Sequence, residues 1–219
     1  MILVLGGTTG GLGQPLHQQL CGIYATEHVV MSIGRNRCDV ESEQSIEKFS
    51  EAVATGMVFQ GPLHVVNATG VSISAMIHKA SLIDINRMLR VNLVANILLL
   101  KHLRETFKNR RGTFTMISSI AASDGPIGTA GYAASKAALN GLVKVAGREF
   151  ARLHTRVNLI ELGFCNVGMI SQIQDLDGVQ ARIPLDRLGC ATDVAEACRF
   201  LIECDWMTGA TVKLNGGMA

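Results

Sequence analysis

Short apolar β-rich runs alternating with longer helical patterns predict an α/β protein: a doubly wound parallel sheet of about six strands, in a single domain over residues 1–219. Three observations carry this. The chain begins with an apolar run, a glycine cluster and an amphipathic pattern, which is a strand, a turn and a helix. Later β-rich runs are each separated by a helical pattern, and strands joined in that way pair in parallel through right-handed crossovers. No internal repeat, low-complexity tract or Pro/Gly/Ser linker divides the chain.

The elements follow in order. Ile2 to Leu5 is the first strand, and Leu12, Leu16 and Leu20 recur every four residues along the first helix. Val29 to Ile33 is the second strand, Leu63 to Val66 the third, Thr113 to Ser118 the fourth, Arg156 to Leu162 the fifth and Thr211 to Leu214 the sixth. Helical patterns lie near 43–54, 82–108, 130–153 and 192–203. In the long pattern at 82–108, Leu82, Ile85, Leu89, Leu93, Ile97, Leu100, Leu103 and Phe107 fill one face, while Ile83, Val94, Leu98 and Leu99 spread beyond it. A stripe that wide predicts core contact plus a subunit interface, hence a homo-oligomer, dimer or tetramer.

Composition excludes several classes. Hydrophobic residues make up 48% and charged residues 17%, the opposite of a disordered chain. The formal charge is +2 and the one dense basic cluster, Lys108 to Arg111, is short, so nucleic acid is not an expected partner. The longest apolar uncharged stretch, Val91 to Leu100, reaches roughly half of the ~20 residues a membrane-spanning helix needs. The start lacks the basic n-region of a signal peptide. Six cysteines show no metal-ligand spacing and read as reduced, buried thiols, which with the rest predicts a cytoplasmic protein without a metal site.

Two motifs carry chemistry. Gly6-Gly7-Thr8-Thr9-Gly10-Gly11-Leu12-Gly13 lies between the first strand and first helix. Glycine there lets the backbone approach a pyrophosphate, and the helix N-terminus offers free N–H groups. Tyr132 and Lys136 stand four residues apart on one helix face, in a helix rich in small residues, and Ser118 and Ser119 end the preceding strand. An ammonium beside a phenol stabilises the phenolate. Each motif also has a plainer reading, as a glycine turn without ligand and as a solvated helix face.

Taken together these residues resemble the short-chain dehydrogenase/reductase family over nearly the whole chain. Gly7, Gly11 and Gly13 match its glycine motif, with Gly6 in place of the usual threonine. Asn67-Ala68-Thr69-Gly70 is similar to its Asn-Asn-Ala-Gly segment without the second Asn, and Asn92, Ser119, Tyr132 and Lys136 match its catalytic tetrad. The tail, from Ile183-Pro184-Leu185 through Thr208-Gly209 to Asn215-Gly216-Gly217-Met218, is similar to 3-oxoacyl-(acyl-carrier-protein) reductases.

The resemblance implies a Rossmann-like fold and a ketone reductase. NADPH would deliver hydride while Tyr132 donates the proton, Ser119 bonds the carbonyl oxygen, Lys136 lowers the Tyr132 pKa and holds the ribose, and Asn92 holds a relay water by kinking its helix. It implies cofactor contacts from Gly7, Thr9, Gly11, Leu12, Gly13, Arg35, Asp39, Val40, Asn67, Ala68, Gly70, Tyr132, Lys136 and Gly163. No acidic residue stands at Gly34 and Arg35 can pair with a 2′-phosphate, so NADPH is the expected cofactor, with NADH left open. The substrate would be a 3-oxoacyl thioester on acyl carrier protein or CoA, the carrier docking on Arg110, Arg111, Arg148 and Arg152. The alternatives are another small ketone of secondary metabolism, and a non-catalytic cofactor-binding regulator or structural subunit.

The chain departs from the family pattern in two places. Asp39-Val40 follows Arg35 after only three residues, so one βα arm after the second strand is read as deleted, with weaker cofactor binding expected. Leu162-Gly163 replaces Pro-Gly, and Val167 stands where a threonine commonly bonds the nicotinamide carboxamide, leaving that bond to Asn166 or to backbone. Residues 168–182 would form the substrate loop.

Overall fold

The computed structural model describes residues 1–6, 11–26, 28–55, 61–168 and 175–218. Six parallel strands form one sheet in the order β2-β1-β3-β4-β5-β6. They are β1 (Ile2–Leu5), β2 (Val30–Ile33), β3 (Leu63–Asn67), β4 (Gly112–Ser119), β5 (Thr155–Leu162) and β6 (Thr211–Leu214). The helices are α1 (Gly13–Ile23), α2 (Glu43–Thr55), α3 (Leu82–Leu89), α4 (Ala95–Arg110), α5 (Ala121–Asp124), α6 (Ala130–Ala151), α7 (Leu176–Gln180) and α8 (Ala191–Glu203).

Position in the sheet explains the sequence of each strand. All residues of β1 and β3 are buried because both have neighbours on either side and helices on both faces; β1 reads as a continuous apolar run, and β3 is apolar apart from His64 and Asn67. The edge strand β6 instead alternates exposed and half-buried residues. Side chains on one face of the sheet, among them Leu3, Leu5, Val65, Phe114, Met116 and Leu159, pack with Phe49 of α2, Leu103 and Phe107 of α4 and Phe150 of α6. Those on the other face, including Ile2, Val4, Val66 and Ile160, pack with Leu16 and Leu20 of α1 and Val194, Cys198 and Leu201 of α8. The chain runs from β1 outward to β2, then returns past β1 to β3. The reversal of strand order opens a crevice at the carboxyl ends of β1 and β3.

The six predicted strands are all present, and β2 is an edge strand, so no further strand stands beyond it among the described residues. Gly112 begins β4 at φ 134°, where a Cβ would lie 1.7 Å from the Leu63 carbonyl oxygen, so only glycine fits this entry into the sheet. The long predicted helix is not continuous. Between α3 and α4 the chain widens into a π turn, Arg90–Val94, which inserts an extra residue into the helical repeat. The apolar stripe therefore shifts: Leu99, Leu100, Leu103 and Phe107 are buried, while Leu82, Ile83 and Ile97 are exposed. All six cysteines are free, as read from the sequence, but only Cys38, Cys165 and Cys198 are buried; Cys21, Cys190 and Cys204 are partly exposed. None of the described helices is long and apolar enough to cross a membrane.

His64 in β3 is buried with its Nδ1 3.0 Å from the Thr113 hydroxyl, and burial, before any charge effect, pushes its pKa from 6.5 down to about 3. An unfolded imidazole takes up a proton near pH 6.5 while the native one resists. The stabilisation from neutral His64 is thus complete above pH 6.5. It erodes towards pH 3 by up to about 1.4 kcal/mol per pH unit. Urea unfolding at pH 7 and pH 5 checks this: the loss of stability on acidification should be smaller in His64→Gln than in the parent.

Candidate active site

β4 ends at Ser119 and α6 begins a short turn later, which brings Tyr132 and Lys136 back over the carboxyl end of the sheet. The Ser118 hydroxyl donates to the Lys136 carbonyl at 3.1 Å and fastens α6 to β4. Ser135, buried and facing inward, donates to the Tyr132 carbonyl at 2.7 Å. On another side α6 packs closely against α3 at Gly131, where a Cβ would lie 2.6 Å from the Met88 methyl.

A cleft of about 520 Å³ opens here. It is lined by Gly11 and Leu12 before α1, by Ala68, Thr69 and Gly70 after β3, by Ser119 of β4, by Tyr132 and Lys136 of α6, and by Gly163 after β5. Eight of the residues expected at the site thus converge on one space. Gly7 and Thr9 lie outside the described residues. Gly13 is the first residue of α1, and Asn67 is buried beneath the cleft at the end of β3. A Cβ built on Gly11 would meet nothing within 4 Å. Internal packing therefore does not require a glycine there, and the open backbone ahead of α1 suits the phosphates of a dinucleotide. The cleft's place at the strand ends fits the same group.

Lys136 is 3% exposed, and its Nζ donates to the Ile117 carbonyl at 2.8 Å. Burial pushes its pKa down to about 8. The ammonium lies 5.9 Å from the centre of the Tyr132 ring. Burial pushes the Tyr132 phenol above its usual 10, and the neighbouring Ser119 hydroxyl pulls it the other way. The family resemblance implied that Lys136 lowers the Tyr132 pKa. In this arrangement burial sets the direction of the Tyr132 shift, and the Lys136 ammonium gives its hydrogen bond to backbone.

Asn92 sits within the π turn and is fully buried. Its Nδ2 donates to the Val71 carbonyl and to the Ser135 hydroxyl, both at 2.9 Å, and its Oδ1 accepts from the Val71 N–H at 2.9 Å. Gly70 is wedged beside it: a Cβ there would lie 3.5 Å from Asn92 Oδ1 and 3.3 Å from Lys136 Nζ. The expected local distortion of the helix is present, and the Asn92 side chain is spent on protein partners.

Past the end of β2 the arrangement differs from expectation. Arg35 is exposed, yet its guanidinium is held by Asp39 at 3.2 Å and Glu41 at 3.3 Å. Glu41 also pairs with Arg87 at 3.3 Å, and its carbonyl accepts from Arg90 in the π turn at 2.6 Å. Asp39 gives its other oxygen to the Glu41 N–H at 3.0 Å, so both its oxygens are engaged within this turn. Val40 packs against the core on the α2 side of the sheet. None of these three lines the cleft.

The four arginines expected to dock a carrier lie at the other end of the fold. Arg110 and Arg111 precede Gly112 at the amino end of β4, whereas Ser119 is at its carboxyl end. Arg148 and Arg152 follow Tyr132 on α6 and its cap, about 24 and 30 Å along the axis at 1.5 Å per residue. They line a groove with Arg104 and Glu149 that is separate from the cleft. Residues 130–151 form one straight run of sequence, so spacing alone revealed which face a residue takes but not that its two ends serve opposite edges of the sheet.

Several residues of the site had no sequence signal. Ser72, Ser74 and Thr129 bring hydroxyl groups to the cleft, and Phe164 and Cys165 bring apolar surface. Val167 and Gly168 do reach the cleft, but much of the expected substrate loop, residues 169–174, lies outside the described residues.

Comparison with known proteins bears on this geometry. A family profile described as enoyl-(acyl carrier protein) reductase matches residues 24–219. The chain is 29% identical over 183 residues to a 3-oxoacyl-(acyl-carrier-protein) reductase of Mus musculus, covering 83% of this chain and 76% of that protein. It is 32% identical to carbonyl reductase family member 4 of Xenopus laevis, with the same coverage. The 3-oxoacyl-(acyl-carrier-protein) reductase FabG of Aquifex aeolicus is 28% identical across 99% of this chain and 86% of its own. Among solved structures, sorbitol-6-phosphate 2-dehydrogenase SrlD of Erwinia amylovora superposes with a TM-score of 0.88 at 21% identity, covering 100% and 99% of the two chains. That likeness is one of fold.

A buried ammonium whose native pKa is about 8 against an ordinary 10.5 destabilises the fold wherever the unfolded lysine is protonated and the native one resists. Lys136→Met should therefore melt at least as high as the parent at pH 7. The difference should shrink as the pH rises from about 8 to 10.5, where native Lys136 has shed its proton and the unfolded chain has not. Thermal melts of the two proteins across that range check it.

Proposed function

The chain belongs to the short-chain dehydrogenase/reductase family, and from that premise we propose that it is an NADP(H)-dependent reductase of a ketone, a 3-oxoacyl thioester being the substrate the resemblances favour. The observation that carries the reading is the convergence of Ser119, Tyr132 and Lys136 on one cleft beside the start of α1. The curated relatives named 3-oxoacyl-(acyl-carrier-protein) reductase support the thioester, and the carbonyl reductase supports a broader ketone class.

Nicotinamide, when bound, supplies the hydride. The protein's part is to hold the carbonyl oxygen and to move a proton to it. The Ser119 hydroxyl, at the end of β4, donates to the oxygen as charge develops there. Tyr132 delivers the proton, and its raised pKa keeps the phenol protonated at neutral pH until the oxygen becomes basic. Lys136, buried and with a pKa near 8, holds the ribose and restores the proton. Gly11, Leu12, Ala68, Gly70 and Gly163 present backbone to the cofactor, and Arg35 takes its 2′-phosphate by exchanging carboxylate for phosphate. The arginines Arg110, Arg111, Arg148 and Arg152 are too far from the cleft of their own chain to seat a carrier whose thioester enters it. The thioester's carrier, CoA or acyl carrier protein, is recognised elsewhere. Exposed Ile97 and Val145 on α4 and α6 support a homo-oligomer, and six free cysteines suit a reducing compartment such as the cytoplasm.

Oxidation of NADPH in the presence of 3-oxoacyl-CoA and a panel of small ketones tests the reading. Tyr132→Phe should lower kcat by about 10²- to 10⁴-fold while NADPH binding, followed by calorimetry, stays within about twofold. Retained turnover would remove Tyr132 from the mechanism, and absence of turnover in the parent with cofactor bound would favour the regulator. For the 2′-phosphate, Glu41→Gln should tighten NADPH binding about two- to fivefold and leave NADH unchanged, the worth of one exposed ion pair. Equal effects on both cofactors would show that Arg35 does not meet the 2′-phosphate.

A further inference from the structure

Asn96 stands in the first turn of α4, away from the cleft, and is 3% exposed. Its Nδ2 donates to the Asn92 carbonyl at 2.9 Å, and its Oδ1 accepts from Asn67 Nδ2 at 2.9 Å. Asn67 in turn accepts from Thr69, from its N–H at 3.2 Å and its hydroxyl at 2.7 Å. On the other side, Asn92 donates to Ser135, and Ser135 to the Tyr132 carbonyl. One chain of buried hydrogen bonds thus runs from the loop after β3, through the π turn, to the helix that carries Tyr132 and Lys136.

We propose that Asn96 is a positioning residue for the reaction, holding the π turn open so that Asn92 fixes the Val71 loop and the Tyr132 end of α6 in register. The proposal rests on Tyr132 as the proton donor. Three geometric facts support it. In a regular α-helix each carbonyl four residues back is met by backbone, but a π turn widens the ring and leaves carbonyls to find other partners. The amide of Asn96 donates to the Asn92 carbonyl inside this widened turn. The position carries a buried amide, and both ends of that amide are used. Removing it takes a buried side-chain bond from the Asn92 carbonyl and from the Asn67 amide, a penalty relieved by letting the turn relax or letting water enter. Either response moves Asn92, and Asn92 shares Gly70 as a neighbour with Lys136 Nζ. Asn96 touches none of the cleft itself.

Two near-isosteric variants separate the two ends of the amide. Asn96→Leu deletes both bonds. Asn96→Asp keeps the acceptor for Asn67 and restores a donor to the Asn92 carbonyl only when its carboxyl is protonated, which burial favours. The chain has two tyrosines, so in a Tyr24→Phe background the ultraviolet titration of phenolate reads Tyr132 alone, with no substrate or cofactor. We expect Asn96→Leu to lower the apparent pKa of Tyr132 by about half a unit as water enters its site. We expect kcat to fall about 10- to 100-fold with KM for the ketone unchanged, the usual cost of a displaced catalytic group. Asn96→Asp should lose kcat at neutral pH and regain it, relative to the parent, as the pH is lowered. A merely structural Asn96 predicts lower melting temperatures for both variants with Tyr132 titrating as in the parent and no acid recovery, and that result overturns the proposal. If the parent reduces no ketone, the phenolate titration still decides the role of Asn96, so the two failures are told apart. Should Asn96→Leu not fold, Asn96→Ala takes its place in the phenolate titration, where a lowered Tyr132 pKa supports the proposal and an unchanged one overturns it.

Discussion

The arrangement depends on keeping one ammonium out of water. Lys136 is buried, its hydrogen bond goes to the Ile117 carbonyl, and among the described residues no carboxylate pairs with it. An isolated buried cation is costly, and the group answers by giving up its proton more easily. That condition fixes much around it. α6 must lie close against β4, which the Ser118 bond to the Lys136 carbonyl secures. Gly70 lies close enough that a Cβ there would stand 3.3 Å from Nζ. The space that remains is the cleft, and the phenol beside it is desolvated along with the lysine. Two groups whose ordinary pKa values nearly coincide, 10.0 and 10.5, are thereby moved apart, the lysine down and the tyrosine up. A separation of that kind sets a donor against a group that restores the proton.

A buried cation needs a stiff surround, and stiffness here comes from polar groups in an otherwise apolar protein. Asn67, Asn92, Asn96 and Ser135 are all nearly fully buried and bond to one another in sequence. Half-satisfied networks of this sort are worse than an apolar core, while satisfied ones hold a single geometry. The π turn is the device that lets Asn92 point at the Val71 loop and at α6 together. Arg90, in the same turn, reaches back to the Glu41 carbonyl and so ties this region to the turn that holds Arg35. The short connection after β2 is thus closed by ion pairs among Arg35, Asp39, Glu41 and Arg87. A carboxylate placed on the residue expected to read a phosphate makes affinity for that phosphate a matter of competition.

What could be read along the chain was whatever local sequence dictates. β1 and β4 are buried on both faces, so they appear as unbroken apolar or β-rich runs bounded by glycine or serine. Tyr132 and Lys136 share a helix face by simple periodicity, and the glycine turn announces itself by composition. What could not be read depends on groups far apart in sequence. Within the widened turn at Arg90–Val94 the amide of Asn92 bonds Val71 and Ser135 together, across 21 and 43 residues. The basic residues of α4 and α6 looked like a docking face because the pattern does not record which end of a helix meets which edge of the sheet.

By itself, then, the sequence determined the alternation of strands and helices, the parallel sheet of six strands, and the identity of the groups that meet at the carboxyl edge. Hydrophobic period and glycine placement are local properties, and they suffice for that. Tertiary structure decided the rest: that Lys136 turns to Ile117, that burial raises the Tyr132 pKa, that Arg35 is held by two carboxylates, and that Arg148 and Arg152 line a groove separate from the cleft. Each of these is settled by desolvation or by a contact between distant segments. A residue's neighbours along the chain do not fix how much water it keeps or which charge it meets.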